Sequence, residues 1–403
     1  MKIFIVFGTR PEAIKFAPLI YTLKDTFVVR VISSGQHSEL LKQVTDFFKI
    51  KLDYSFGCIT ETGNLEHLYE CIHREMRKAI ERENPDLIFV QGDTFTTYSA
   101  SFVGFMFKIP VFHLEAGLRT FTRFSPFPEE MLRVLMGRLA DFHFAPTKKA
   151  AKNLLSEGIN ENRILIIGNT IVDALLLAQT LADENRIFKE LTSQNSTLRN
   201  LLETRKLVLI TSHRRENIGM PLKKICRAIK HLAKIHEDTF FLWPMHKNPM
   251  VKKIVLEEMM YRPDNIILTD ALSYEAMVYL MKKSYIILTD SGGIQEEAPT
   301  FGKPILILRD STERPEVVDS GIGFLVGTEE EKIIEIFTQI KDNKRIYETF
   351  LNIRNPFGDG KAAERILKFL MLDEVRDFVE NYPSSSEEIF NVKNKIEAFE
   401  EIQ

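Results

Sequence analysis

Residues 289–316, TDSGGIQEEAPTFGKPILILRDSTERPE, decide the fold. The apolar run 285–288 (YIIL) enters this stretch as a strand buried on both faces. Asp290-Ser291-Gly292-Gly293 ends that strand, and Gln295, Glu296 and Glu297 then read as the first turn of a helix. A second apolar strand, 304–308, follows and runs into Arg309-Asp310 and the charged loop Thr312-Glu313-Arg314-Pro315-Glu316. Strand, glycine turn, helix and strand together make the repeating unit of a doubly wound parallel sheet. Two glycines between strand and helix expose backbone N–H groups to an anion, and the helix dipole adds to the attraction. Half of a phosphate and ribose site is one reading. An ordinary βα turn with acidic residues that suit the dipole is the other.

The rest of the chain extends this pattern in both directions. At 403 residues it exceeds one typical core, so two domains are expected. A composition 44% hydrophobic and 27% charged is that of a globular protein, and a net charge of -3 points to neither nucleic acid nor a membrane surface. Cys58, Cys71 and Cys226 are odd in number and scattered, which argues against a disulfide framework and against a zinc site. Met1 leads straight into the apolar run 3–7, with no basic or apolar leader pattern, and no apolar run approaches spanning length. A reduced, cytoplasmic compartment is the expectation.

Residues 2–7 (KIFIVF) read as the first buried strand, Gly8-Thr9-Arg10 as its turn, and Pro11 as an early helical residue, with Glu12 and Ala13 starting the helix. Arg10 and Lys15 then lie by a strand's carboxyl end, either as phosphate-binding cations or as surface cations. Pro18 predicts a kink in that helix. Further strands at 28–33, 85–90, 111–114, 142–145 and 163–167 alternate with helical patterns at 39–48 and 65–83. Their ends carry Gly35-Gln36-His37, Gln91-Gly92-Asp93-Thr94 and Glu115-Ala116-Gly117-Leu118-Arg119. A loop with Ser125, Pro126 and Pro128 leads to a helix opening at Glu129-Glu130, with Arg133 one turn on.

After Gly168-Asn169-Thr170 the alternation pauses over polar, helical residues 178–205 and then restarts. Strands 207–210, 240–243, 266–268 and 323–326 complete it, the first ending in Ser212-His213-Arg214-Arg215-Glu216-Asn217 and the second in Met245-His246. The expected organisation is therefore α/β, with two doubly wound Rossmann-like domains, 1–170 and 171–355, facing a cleft. Helices over 356–378 are expected to cross back to the first domain, and 379–403 read as a solvated acidic tail.

Four groups at these strand ends and loops suit acid/base work: Asp93, Glu115, Glu129 and His213. Carboxylates held close, or partly buried, raise one another's pKa, so one can act as base while another keeps a proton. A turn or N-cap role is the plainer reading for Asp93 alone. No HExxH, EF-hand, Walker A or GxSxG pattern occurs. His231 and His236 read as surface residues, and His246 as a ligand contact or a structural histidine.

GTRPEAIKFAPL, QGDTFTT, HLEAGLRT, SPFPEEMLR, FHFAPT, GNTIVDAL, SHRREN, PMHKNP, TDSGGIQEEAPTFGKP and RDSTERPE, in this order from Met1 to about residue 370, resemble the non-hydrolysing UDP-N-acetylglucosamine 2-epimerase family. The resemblance implies a glycosyltransferase-B-like fold and interconversion of UDP-GlcNAc and UDP-ManNAc for surface polysaccharide synthesis. It implies elimination of UDP to 2-acetamidoglucal and re-addition, with no cofactor, in a cytoplasmic homodimer. Asp93, Glu115 and Glu129 match the family's acid/base positions, and His213 supports the diphosphate or proton transfer. Arg10, Lys15, Arg133, Ser291, Gly292, Gly293, Glu297 and Arg314 match its substrate contacts, and Leu272 and Met277 the region beside uracil. Gln36 and His37 match a pair that binds an activating UDP-GlcNAc in bacterial members, with His246 a further candidate there. The second such pair is not found in Thr60-Glu61-Thr62-Gly63-Asn64. Met277 stands where relatives often carry Phe, and Leu132 where Asn is usual.

The alternatives are a hydrolysing 2-epimerase releasing ManNAc and UDP, a 2-epimerase of a modified UDP-HexNAc, a glycosyltransferase of the same fold, and a non-catalytic UDP-sugar-binding protein. The last would require a lost carboxylate, and all three are present. GTRPEAIK and SPFPEE favour the non-hydrolysing branch.

Overall fold

A computed structural model of the protein describes residues 1–35, 38–58, 64–193 and 195–387. The chain divides into two compact units: Met1–Leu177 joined by the chain from Phe357 onward, and Ala178–Pro356. Each is built on its own parallel sheet.

In the first unit the strands are β1 (Lys2–Phe7), β2 (Val28–Ser33), β3 (Tyr54–Ser55), β4 (Leu87–Gln91), β5 (Val111–Leu114), β6 (Phe142–Ala145) and β7 (Ile164–Ile166). The described residues order them β3-β2-β1-β4-β5-β6-β7. All neighbours run parallel, with Ile3 in register with both Val29 and Leu87. Ile3, Phe4, Ile5, Val6 and Phe7 are fully buried, which is why β1 is continuously apolar rather than alternating. The strand order reverses between β1 and β4, and the crevice at such a reversal is where ligands bind in open α/β sheets. β3 has only two residues, too few for a pattern to announce it.

Helices Ala362–Leu370 and Asp373–Glu380 cover part of this sheet. Phe369 meets Phe112 and Phe142 at ring centroid separations of 5.8 and 5.0 Å, and Phe378 meets Phe142 at 5.4 Å. Burial of each such ring is worth about 1.5–3 kcal/mol. Polar ties accompany it: Arg365 donates to the Ile167 carbonyl at 3.1 Å, and Asp173 accepts from the Ala363 N–H at 2.8 Å.

In the second unit the strands are β8 (Lys206–Thr211), β9 (Thr239–Pro244), β10 (Ile266–Thr269), β11 (Ser284–Thr289), β12 (Ile305–Ile307) and β13 (Gly323–Leu325). Their order is β10-β9-β8-β11-β12-β13, again all parallel, with the reversal between β8 and β11.

Several expectations are corrected. The helix after β11 spans Gly292–Glu297, so both glycines lie inside its first turn and Glu296 and Glu297 beyond it. Cys58 and Cys71 form a disulfide, with Cα atoms 5.5 Å apart. Sequence spacing did not reveal it, because the fold sets the segment after β3 beside the helix Leu65–Glu83. His236 is buried against Phe337 at the end of the helix Met220–Ile235, not exposed. The start of the supposed solvated tail is packed: Val379 and Ser385 are buried, and Arg163 donates to the Ser386 carbonyl at 2.7 Å. Gln36, His37 and residues 60–63 lie outside the described residues. No helix among the described residues is long and apolar enough to cross a membrane.

Candidate active site

The first sheet gathers its polar residues at the β1, β4 and β5 carboxyl ends. Glu115 follows β5 in left-handed backbone, φ 57°, a conformation that costs a non-glycine residue about 1–3 kcal/mol. Gly117, φ 91°, completes the turn, and a Cβ there would lie 2.2 Å from the Ala150 carbonyl oxygen. The strained turn presents the Glu115 carboxylate to three donors. Lys15 forms an ion pair with Oε1, Asn169 Nδ2 reaches Oε1 at 3.2 Å, and Gln91 Nε2 donates to Oε2. Lys15 and Glu115 side chains are 8% and 9% exposed, so little solvent screens the pair.

Asp93 follows Gly92, whose φ of 73° suits glycine. It does not cap the next helix. Thr94 does, accepting from the Thr97 N–H at 3.2 Å. Asp93 instead takes Arg133, whose Nε and Nη2 lie 2.8 and 2.7 Å from Oδ2. Each of these two carboxylates is therefore paired with a cation rather than held against the other carboxylate. Glu129 opens the helix Glu129–Leu139, and its Oε2 is buried with no hydrogen-bond partner among the described residues. An unmet buried acceptor is uncommon. Arg10 is the first residue of the helix Arg10–Leu23, half-buried after the Gly8-Thr9 turn.

Glu12 and Glu130 support these groups, and neither was singled out by the motifs. Glu12 is buried: its Oε2 accepts from the Gly8 and Thr9 N–H groups at 3.0 and 2.7 Å, its Oε1 from the Thr94 hydroxyl at 2.6 Å. Burial pushes its carboxyl above the usual range, and these bonds only partly counter it. Only their place beside quoted motif residues could have flagged them.

In the second unit Asp290, fully buried after β11, organises the turn after β8. It accepts from the Ser212 hydroxyl at 2.8 Å, the His213 N–H at 3.0 Å, the Arg214 N–H at 3.1 Å and Asn217 Nδ2 at 2.9 Å. His213 Nδ1 lies 3.3 Å from Asp290 Oδ1, which favours the proton on Nδ1 and leaves Nε2 as the ring's base. Burial lowers the His213 pKa, outweighing the Asp290 charge, so the ring is neutral near neutral pH. His246 stacks on it with centroids 5.4 Å apart.

Ser291 precedes the helix Gly292–Glu297 without a side-chain cap bond. Arg314 lies over that helix start, and a Cβ on Gly292 would come within 2.5 Å of its Nη1. Gly292 thus lets the Arg314 guanidinium lie close to the backbone, and a Cβ there would push that side chain aside. Arg314 Nε donates to Glu296 Oε1 at 2.6 Å, while Glu297 Oε1 accepts from the Tyr274 hydroxyl at 2.7 Å. Leu272 and Met277 are half-buried at the start of the helix Tyr274–Lys283. The structure thus joins Lys15 with Glu115, Asp93 with Arg133, His213 with His246, and Gly292 with Arg314. Among the described residues no hydrogen bond or ion pair joins Glu129 to these groups. Among the described residues no cluster of three or more His, Cys, Asp or Glu could hold a metal ion.

Comparison with known proteins identifies the family. Residues 22–371 match the family model described as UDP-N-acetylglucosamine 2-epimerase. The chain is 45% identical over 378 residues to the UDP-N-acetylglucosamine 2-epimerase of Yersinia pestis, spanning 93% of this chain and 100% of the relative. It is 43% identical over 373 residues to that of Neisseria meningitidis serogroup A, spanning 92% and 99%. A crystal structure of the Neisseria meningitidis enzyme bound to UDP-GlcNAc matches with a TM-score of 0.82 at 42% identity, covering 92% of this chain and 100% of that one. The two parallel sheets are those of such structures, and the fold is glycosyltransferase-B-like.

Proposed function

The chain belongs to the UDP-N-acetylglucosamine 2-epimerase family, and on that premise we propose that it interconverts UDP-GlcNAc and UDP-ManNAc without net hydrolysis. The sugar C2–H is weakly acidic, so its removal is coupled to departure of UDP. A base takes the C2 proton, the C–H electrons form the C1=C2 bond of 2-acetamidoglucal, and the C1–O electrons leave with UDP. Protonation of C2 on the other face and return of the UDP oxygen to C1 complete the reaction.

Asp93, Glu115 and Glu129 are the proposed acid/base groups. Arg10, Lys15, Arg133, Arg314 and the Ser291-Gly292-Gly293 helix start offset the departing diphosphate, and the neutral His213 ring supports the diphosphate by a hydrogen bond or serves the proton transfer. Glu297 receives ribose hydroxyls, and Leu272 and Met277 flank the uracil. One observation carries the reading: the Glu115 carboxylate is held in strained backbone and touched by Lys15, Gln91 and Asn169. A strained, nearly buried carboxylate at a sheet's carboxyl edge suits a positioned acid or base. We further propose a cytoplasmic homodimer supplying UDP-ManNAc to surface polysaccharide synthesis.

The test is incubation with UDP-GlcNAc in D2O followed by NMR. UDP-ManNAc carrying deuterium at C2 is expected. Free ManNAc would instead select the hydrolysing branch, and no exchange would end the epimerase reading. Asp93→Asn, Glu115→Gln and Glu129→Gln are each expected to lower kcat about 100-fold or more while UDP binding persists. Near-normal turnover in all three would overturn the site assignment.

A further inference from the structure

Glu130 stands next to Glu129 but has different surroundings. It is 3% exposed, and its two oxygens each accept from the Thr120 N–H at 3.0 Å. Oε1 also accepts from the Phe121 N–H at 2.8 Å, and Oε2 from Arg133 Nη1 at 3.0 Å. Burial alone would raise its carboxyl, but the Thr120 and Phe121 bonds and the Arg133 charge outweigh it and hold the pKa below the ordinary value. Glu130 is thus an anion fixed at both oxygens before any ligand arrives.

Arg133 is what it fixes. The guanidinium gives Nη1 to Glu130 and gives Nε and Nη2 to Asp93. A guanidinium is a rigid planar fork, so pinning a third nitrogen sets its plane. Held by Asp93 alone, Arg133 would swing about that contact and carry the carboxylate with it. Its side chain is 13% exposed, and Glu130's is 4%, so water competes weakly for the bridge.

We infer that Glu130 is a positioning residue: it locks Arg133 into a bridge between two carboxylates and so fixes the Asp93 carboxylate toward the reacting sugar carbon. Glu130 touches no substrate. The inference rests on the reading of Asp93 as an acid/base group.

The test is Glu130→Gln in the full-length protein, which keeps the side chain's shape and removes its charge. Deuterium incorporation at C2 gives kcat and KM, and titration gives UDP affinity. The expected result is a kcat loss on the order of 100-fold, the scale of a small misplacement at a reacting group, and larger than any accompanying loss of UDP affinity. In an Arg133→Lys background, which has already lost the fork, Glu130→Gln is expected to add little. Wild-type kcat in Glu130→Gln, or losses that multiply fully with Arg133→Lys, would overturn the inference. If Glu130→Gln does not fold, Glu130→Asp takes its place in the same cycle, with the same overturning outcomes. Asp93→Asn is measured alongside. Normal turnover there overturns the underlying reading of the site. A crippled Asp93→Asn beside a normal Glu130 variant overturns this inference alone.

Discussion

Two strand ends meet at the carboxylate of Glu12. The N–H groups of Gly8 and Thr9 and the Thr9 hydroxyl reach one oxygen, from the end of β1. The hydroxyls of Thr94 and Thr97 reach the other, from beyond the end of β4. Glu12 thus staples the two walls of the crevice at which the first sheet reverses, one residue away from Asp93. Asp290 does the same at the β8/β11 reversal of the second sheet, joining Ser212, His213, Arg214 and Asn217. Glu12→Ala would leave these donors facing a buried void. The expected cost is about 3 kcal/mol, the scale of leaving several buried donors unmet. Glu12→Gln keeps one acceptor oxygen and should cost less. Urea unfolding midpoints check both. A loss below about 1 kcal/mol in the alanine variant would mean that the turn relaxes onto water and that Glu12 is no staple.

At the scale of elements, β5 and β6 place His113 and His143 in register as cross-strand neighbours, both buried. His113 Nε2 donates to the Gly92 carbonyl at 2.7 Å, so β5 supports the turn that carries Asp93. Burial is the main cause that depresses both imidazoles, His113 to about 4 and His143 to about 3, with Arg119 adding to it. The folded pKa values lie below the unfolded value near 6.5, so between the two the unfolded chain binds more protons. Stability is therefore full above about pH 6.5 and falls with acid, by about 1.4 kcal/mol per pH unit for each histidine until its folded value is passed. His143→Gln should flatten that slope by one histidine's share. Equal slopes for wild type and variant in urea midpoints from pH 4.5 to 6.5 would show that His143 is not held neutral.

This coupling was not legible in the sequence, although the strands were. A run such as KIFIVF declares a doubly covered strand by itself, because burial on both faces is written in consecutive residues. Residues at strand ends were equally legible, since the sheet's topology sends them to one edge. Glu130, Asn169, Gln91 and Asp290 sat inside quoted motifs without a role, because their partners come from distant chain segments. The Cys58–Cys71 bond, between residues only 13 apart, was hidden for another reason: three scattered cysteines carry no pairing pattern. The supposed acidic first turn failed more locally: two glycines next to a strand look like loop, yet here they enter the helix beneath Arg314.

For the whole molecule, the proposed homodimer needs a face that water covers poorly. The helices Leu65–Glu83 and Phe95–Met106 provide one. Tyr69 lies 4.1 Å from His73 and 6.3 Å from Tyr98, and Phe102 lies 5.6 and 6.2 Å from His73 and Tyr98. These half-buried rings continue into Phe105 and Met106, which are 58% and 60% exposed. Aromatic and methionine side chains of this kind are enriched at the centre of interfaces, where a partner typically buries about 800 Å² per side. A second copy of the chain meeting this face would cover Phe105 and Met106 in both protomers. Phe105→Glu would then bury two charges against apolar rings, weakening the dimer by about 2 kcal/mol or more while leaving each protomer folded, since Phe105 is exposed within it. Sedimentation equilibrium at micromolar concentration is the measurement. A dimer that Phe105→Glu shifts toward monomer is expected; a monomeric wild type would refute the homodimer, and a dimer indifferent to the substitution would move its interface to another face.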